Sequence, residues 1–381
     1  INEANNQLVP TVGTCGVMGT ASTMAVIAET LGMMPPDPSC APAVSSERRR
    51  ISEKTGQIAV DIAINKRRPS SILTAKSFEN ALMVLLAIGG STNALIHLAA
   101  IAGRMGIKLD MESFDALSRT IPVIVDLKPS GEGYMEALYK AGGLPRILLE
   151  LKDKLHLDVY TVTGKTLEQT IEETEFSWQQ TIVKSAADPI YREGGMAVLK
   201  GNLAPNTAII KQSAASDSLL THSGRAVVFD GLEDLAHRID SEELDVHKED
   251  ILVLRYIGPK GAPGMPEAGL IPIPKKLARQ GVKDMVRISD GRMSGTASGT
   301  IILHVCPEAA DGGPLALVQT GDKISLDVNT RSLHLHVEDS ELASRRETLD
   351  LSRFIAKRGY HKLYMEHVLQ ADEGVDFDFL V

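Results

Sequence analysis

Apolar residues recur at helical spacing through the first half of the chain and at strand spacing through the second. Residues 15–33 are small and apolar, with Ala21, Met24, Ala25, Ile27, Ala28 and Leu31 leading into Gly32, Pro35 and Pro36. This predicts a helix that stops at those breakers. A second helix is predicted from about Ser46 through Ile64, carried by Ile51, Ile58, Ala59, Ile62 and Ala63. Residues 77–88 predict a strongly apolar helix, which Gly89 and Gly90 interrupt and residues 92–102 resume. Residues 122–126 read as a short buried strand. Gly142 and Gly143 break a further helical pair.

From about residue 190 the texture changes. Short β-rich runs lie between Gly, Pro and Asn turns at 196–200, 208–211, 226–229, 251–256, 285–288, 316–319, 323–328 and 332–337. Short helices are predicted at 232–239 and 274–280, and the last three strands as an antiparallel meander. The chain therefore reads as α/β with two domains, a mainly helical one and then a β-barrel or sandwich with a few helices. The polar segment 154–190, which holds Trp178, is the expected connection.

Composition narrows the function classes. A chain of 381 residues with 43% hydrophobic positions can bury two domain cores. The net charge of −9 argues against a nucleic-acid partner. No apolar run approaches the roughly 18 residues of a membrane span, so no membrane partner is expected. Three cysteines are too few for a disulfide scaffold, which suits a reducing, cytoplasmic setting. Aromatic residues are only 4%, too sparse for a stacking platform or a carbohydrate-lectin surface. The chain opens on Ile1 without an initiator Met, so this start is not expected to be a natural N-terminus.

Four stretches could carry chemistry. Residues 258–269 are dense in glycine and proline, a loop whose N–H groups can cradle an anion. It lacks the Gly-Lys-[Ser/Thr] ending of a P-loop, and Glu267 is its single carboxylate. A structural turn with a solvated Glu is the plainer alternative. Residues 289–300, Ser-Asp-Gly-Arg-Met-Ser-Gly-Thr-Ala-Ser-Gly-Thr, follow a strand and resemble a strand-turn-helix that exposes a serine. They do not form the Gly-x-Ser-x-Gly elbow, and a self-satisfied turn is equally compatible. In 13–24, Cys15 lies between glycines at an expected helix N-terminus, which suits a thiolate nucleophile or a metal-cluster ligand, although a lone Cys is more often a small buried hydrophobe. Cys40 and Cys306 form no CxxC pair. Around Gly89-Gly90-Ser91-Thr92-Asn93, Ser91 or Thr92 could cap the next helix, and His97 reads as a core histidine.

These four stretches, in this order, resemble the dihydroxy-acid and sugar-acid dehydratase family. The segment His304-Val305-Cys306-Pro307-Glu308-Ala309-Ala310 and Gly312-Gly313-Pro314 extend the match, which runs from residue 10 almost to the C-terminus. Gly264-Met265-Pro266-Glu267 and the tail from Arg358 to Leu380 are most similar to the pentonate (arabinonate, xylonate) branch. Branched-chain dihydroxy-acid and phosphogluconate dehydratases remain alternatives.

The resemblance implies loss of the C3 hydroxyl from a 2,3-dihydroxy sugar acid, giving a 2-keto-3-deoxy acid with the help of a 2Fe-2S cluster and Mg2+. It implies Cys15 as a cluster ligand, Glu267 as a Mg2+ ligand, Ser294 as the base, Thr296 at the substrate carboxylate and His367 reaching substrate from the tail. It also implies a homodimer or homotetramer. The fold it implies is the remainder of an N-terminal α/β cluster-binding domain over 1–175, then a swivelling β-rich domain over 176–381, with the active site between them. The family's other two cluster cysteines and its Cys-Asp-Lys motif have no counterpart here. The chain alone is therefore expected to hold neither group intact and to be inactive. Readings in other classes are a Ser294-dependent hydrolase and a non-catalytic sugar-acid binder.

Overall fold

The computed structural model describes residues 12–176 and 178–381. Ile1 and Pro10, where the chain and the resemblance begin, lie outside them. The chain divides into two units, Ile1–Ala94 with Ala116–Gly195, and Leu95–Asp115 with Met196–Val381. Among the described residues no helix is long and apolar enough to cross a membrane.

The first unit is helical. Thr20–Thr30 packs against Ala75–Ala87, burying Val26, Ile27, Phe78, Ala81 and Leu85. The second of these helices is started by a reciprocal cap: Thr74 accepts from the Ser77 amide, and the Ser77 hydroxyl accepts from the Thr74 amide. Ser46–Ile64 forms where its spacing predicts, capped by Ser45, but buries only Ile51. Two expectations fail here. The helix expected over 15–33 begins at Thr20, so Cys15 lies in irregular chain five residues ahead of it and outside the reach of its dipole. Residues 122–126 form only single bridges, Val123 with Tyr191 and Val125 with Val183.

The second unit is built on one eight-stranded sheet: β1 (Ala197–Leu199), β2 (Thr207–Ile210), β3 (Thr221–Asp230), β4 (Ile251–Arg255), β5 (Arg287–Ser289), β6 (Ile301–Cys306), β7 (Lys323–Asp327) and β8 (Ser332–His336). The order is β1-β2-β6-β5-β4-β3-β7-β8. The four central strands are parallel, and the flanking pairs are antiparallel. β4 reads as a continuous apolar run because both of its faces are covered. Val253 joins a core with Ile210, Val228, Ile288, Ile302, Ile324 and Leu333, whereas Leu252 and Leu254 face a second core with Phe229, Leu235 and Leu277.

The edges of this sheet meet. The Lys200 amide donates to Arg331 O and the Leu333 amide to Lys200 O, both at 2.9 Å. Asn202 clamps both main-chain groups of Leu335. The approach leaves no room for a side chain at Gly201, where a Cβ would lie 2.0 Å from Leu333 O. Gly201→Ala is expected to cost about 2–3 kcal/mol of unfolding free energy by prising this seam open. Urea denaturation with tyrosine fluorescence would measure it, and an unchanged midpoint would refute it.

Two more sequence expectations are corrected in this unit. The stretch after 289–300 is strand β6, not a helix. Its Ile301, Ile302 and Val305 suit a strand buried between β2 and β5. Residues 316–319 are not a strand: Pro314–Leu317 is a 3-10 turn. Pro314 cannot donate to a ladder, and Arg255 takes the Ala316 and Val318 carbonyls. The meander is therefore β3, β7 and β8.

Candidate active site

β4 and β5 are parallel neighbours, so the loops that leave their C-terminal ends emerge side by side. The first carries Glu267 and the second carries Ser294. The crevice beyond the carboxyl ends of parallel strands is where α/β sheets commonly place ligands. The two loops are joined by backbone: Glu267 bridges to Arg292, and the Gly269 amide donates to Arg292 O at 2.7 Å. The Arg292 guanidinium donates to Met265 O. Ser294 Oγ lies 2.9 Å from Thr296 Oγ1, with Ser294 half-buried and Thr296 exposed. Glu267, Ser294 and Thr296 are thus carried on one joined pair of loops.

His97 and His304 adjoin the same place. His97, on the helix Asn93–Gly103, feels Arg292 and Glu267, and burial together with Arg292 lowers its pKa. It is half-buried beside charged groups, not a core histidine. His304 is 3% exposed, at φ +54°, and its Nε2 has no hydrogen-bond partner. Burial, then Arg292 and His97, press its pKa down to about 3, so its imidazole is neutral at physiological pH. The sequence signal for His304 was its place in a matching motif, but burial and register were needed to turn it towards Arg292.

The tail docks on the Glu267 loop. Tyr364, on the helix Gly359–His367, donates its hydroxyl to Pro259 O at 2.9 Å and accepts from the Gly264 amide at 2.8 Å. His367 lies one turn further on. Its Nδ1 is 2.9 Å from Asp378 Oδ1 and its ring packs edge-on to Phe379, so its recorded partners are in the tail itself.

Beneath the two loops lie two buried carboxylates that sequence reasoning did not single out. Asp290 accepts from the Tyr256, Ile257 and Ala309 amides, and burial raises its pKa. Glu308 accepts from the Lys260 and Gly261 amides. Burial and the neighbouring Asp290 push its carboxyl up to about 7.

In the first unit, two of the sequence-predicted stretches meet. Thr20 Oγ1 lies 2.9 Å from Ser91 Oγ and accepts from Asn93 Nδ2 at 3.0 Å, while Thr23 Oγ1 accepts from the Ser91 amide at 3.1 Å. Gly90 is needed there, since a Cβ would strike Leu85 Cδ1 at 2.6 Å. Cys15 is the one exposed cysteine of the three. Cys40 and Cys306 are buried, their thiols pushed up by burial, Cys40 to about 12. Among the described residues no group of three or more His, Cys, Asp or Glu side chains is placed to hold a metal ion.

Residues 1–170 match the N-terminal domain model described as dihydroxy-acid/6-phosphogluconate dehydratase, and residues 181–375 match the C-terminal one. The chain is 48% identical to the L-arabonate dehydratase of Azospirillum brasilense, over 94% of this chain and 63% of that protein. It is 46% identical to the L-arabinonate dehydratase of Rhizobium leguminosarum, over 99% and 66%. It is 44% identical to the 6-deoxy-6-sulfo-D-gluconate dehydratase of Pseudomonas putida, again over 99% and 66%. The chain thus spans a little under two thirds of the length of these curated relatives. Motif order, joined loops and matches along both units lead to one conclusion: the chain belongs to the dihydroxy-acid/6-phosphogluconate dehydratase family.

Proposed function

We propose that this chain supplies the Ser294 face of a hydro-lyase site that converts an aldonate to its 2-keto-3-deoxy acid. The carrying observation is the backbone pairing of Glu267 with Arg292, which sets a carboxylate beside the loop of Ser294 and Thr296. An aldonate's C2 proton is weakly acidic and its C3 hydroxide leaves poorly, so the reaction needs positive charge at both ends. Ser294 takes the C2 proton and Thr296 meets the carboxylate. A serine hydroxyl serves as a base only where nearby charge favours the alkoxide. Cys15 contributes one thiolate to an iron–sulfur cluster and Glu267 one carboxylate to Mg2+. The remaining donors must come from outside this chain's described residues. The relatives named for arabinonate and sulfogluconate favour a sugar acid over a branched-chain dihydroxy acid.

The test uses a 2-keto-3-deoxy acid assay with L-arabinonate, D-xylonate and D-gluconate. The 381-residue chain, treated with iron, sulfide and Mg2+, is expected to give no product. Joined to the N-terminal third of the Azospirillum relative, it is expected to turn over at least one aldonate. In that fusion, Ser294→Ala should lower kcat on the order of 10²–10⁴-fold. An active fusion indifferent to Ser294→Ala would refute the assignment of the base. A hydrolase reading would require Ser294 to react with a serine-directed phosphonate. Its hydroxyl is paired with Thr296 rather than with a histidine.

A further inference from the structure

Glu308 lies just beyond β6, is fully buried, and belongs to none of the roles above. Its carboxylate faces three donors from two distant segments. The Lys260 amide donates to Oε1 at 2.8 Å and the Gly261 amide to Oε2 at 2.9 Å. Gln370 Nε2 donates to Oε1 at 3.0 Å, and the Glu308 amide donates back to Gln370 Oε1 at 2.8 Å. Gly258 is packed so closely that a Cβ there would lie 2.6 Å from Glu308 Oε2. One side chain thus grips the first turn of the Glu267 loop and, through a reciprocal pair, the tail three residues after His367. Tyr364 makes the second stitch between the same two segments.

We propose that Glu308 is a positioning residue that holds the Glu267 loop and the C-terminal tail together as one unit. A glycine-rich loop has many conformations to lose and little apolar surface to hold it. Two backbone amides aimed at one buried carboxylate supply the missing constraint. Gln370 extends that constraint to the tail, so a change in either segment is felt by the other. The charged and titratable groups nearby are Asp290, Tyr364, and Lys260, whose Nζ pairs with Asp311. The functional meaning rests on Glu267 being a working residue, whereas the contacts stand without it.

Hydrogen–deuterium exchange on the 381-residue chain tests this without metal or sugar acid, so it is independent of the dehydratase reading. In Glu308→Ala, exchange is expected to rise at least tenfold in both 257–267 and 364–377, with the peptides of β3 and β7 unchanged. Glu308→Gln keeps one acceptor but replaces the oxygen that meets the other loop amide, so exchange in both segments should fall between the parent and Glu308→Ala. Gln370→Ala should release the tail tenfold and the loop to a smaller extent. A rise spread evenly over all peptides, a loop that loosens while the tail does not, or no recovery in Glu308→Gln would each overturn the proposal. If Glu308→Ala does not fold, the Gln370→Ala comparison decides: a loop unmoved by tail release overturns it.

Discussion

Asp290→Ala is expected to lower the unfolding free energy by about 3–6 kcal/mol, enough to leave much of the chain unfolded at 37 °C. Asp290 is fully buried, and its carboxylate accepts from the amides of Tyr256 and Ile257 at 3.1 Å and Ala309 at 3.0 Å. Removing it strands three buried donors, each costing about 1–3 kcal/mol. Those donors begin the Glu267 loop and the turn after β6, so the damage is centred under the candidate site. Asp290→Asn keeps one acceptor and should fall between the parent and Ala. Guanidinium denaturation followed by circular dichroism measures both variants, and parental stability in Asp290→Ala would remove Asp290 from this role.

Lys211→Met is expected to act in the opposite direction, stabilising the chain at pH 7 by about 2–4 kcal/mol. Lys211 directly follows β2, is 2% exposed, and its Nζ has no hydrogen-bond partner. Burial alone lowers its pKa from 10.5 to about 7. The folded chain therefore prefers the neutral amine, and the unfolded chain the ammonium. Between about pH 7 and 10.5 the unfolded state holds the extra proton, so stability rises with pH across that window. Below it, the full penalty of burying a charge applies. Methionine fills the space without a charge, so Lys211→Met should lose this pH slope as well as gain stability at pH 7. Denaturation curves at pH 7 and pH 9.5 decide it: a parent-like slope, or a loss of stability at pH 7, would refute the argument.

The local sequence determined a good part of this protein. Ser46–Ile64, the Gly89 and Gly90 interruption, and seven of the eight β runs follow from spacing and breakers, because helix and strand periods are written in neighbouring residues. The resemblance likewise came from short ordered motifs. The sequence did not reveal that 301–306 is a strand or that 316–319 is not. Both depend on distant partners: β2 and β5 take up the amides of one, and Arg255 takes the carbonyls of the other.

The same holds at the site. Glu267 and Ser294 were legible because each lies in a distinctive loop. That the loops are joined was decided by the parallel pairing of β4 with β5, a non-local event. Asp290, Glu308 and His304 lie inside stretches that carry the resemblance, but nothing local marked them individually, since what sets them apart is burial and the amides or charges that face them. Position along a chain can specify which groups are present. Only the folded sheet removes water from them, and that desolvation turns an ordinary Asp, Glu or Lys into a structural or functional constraint.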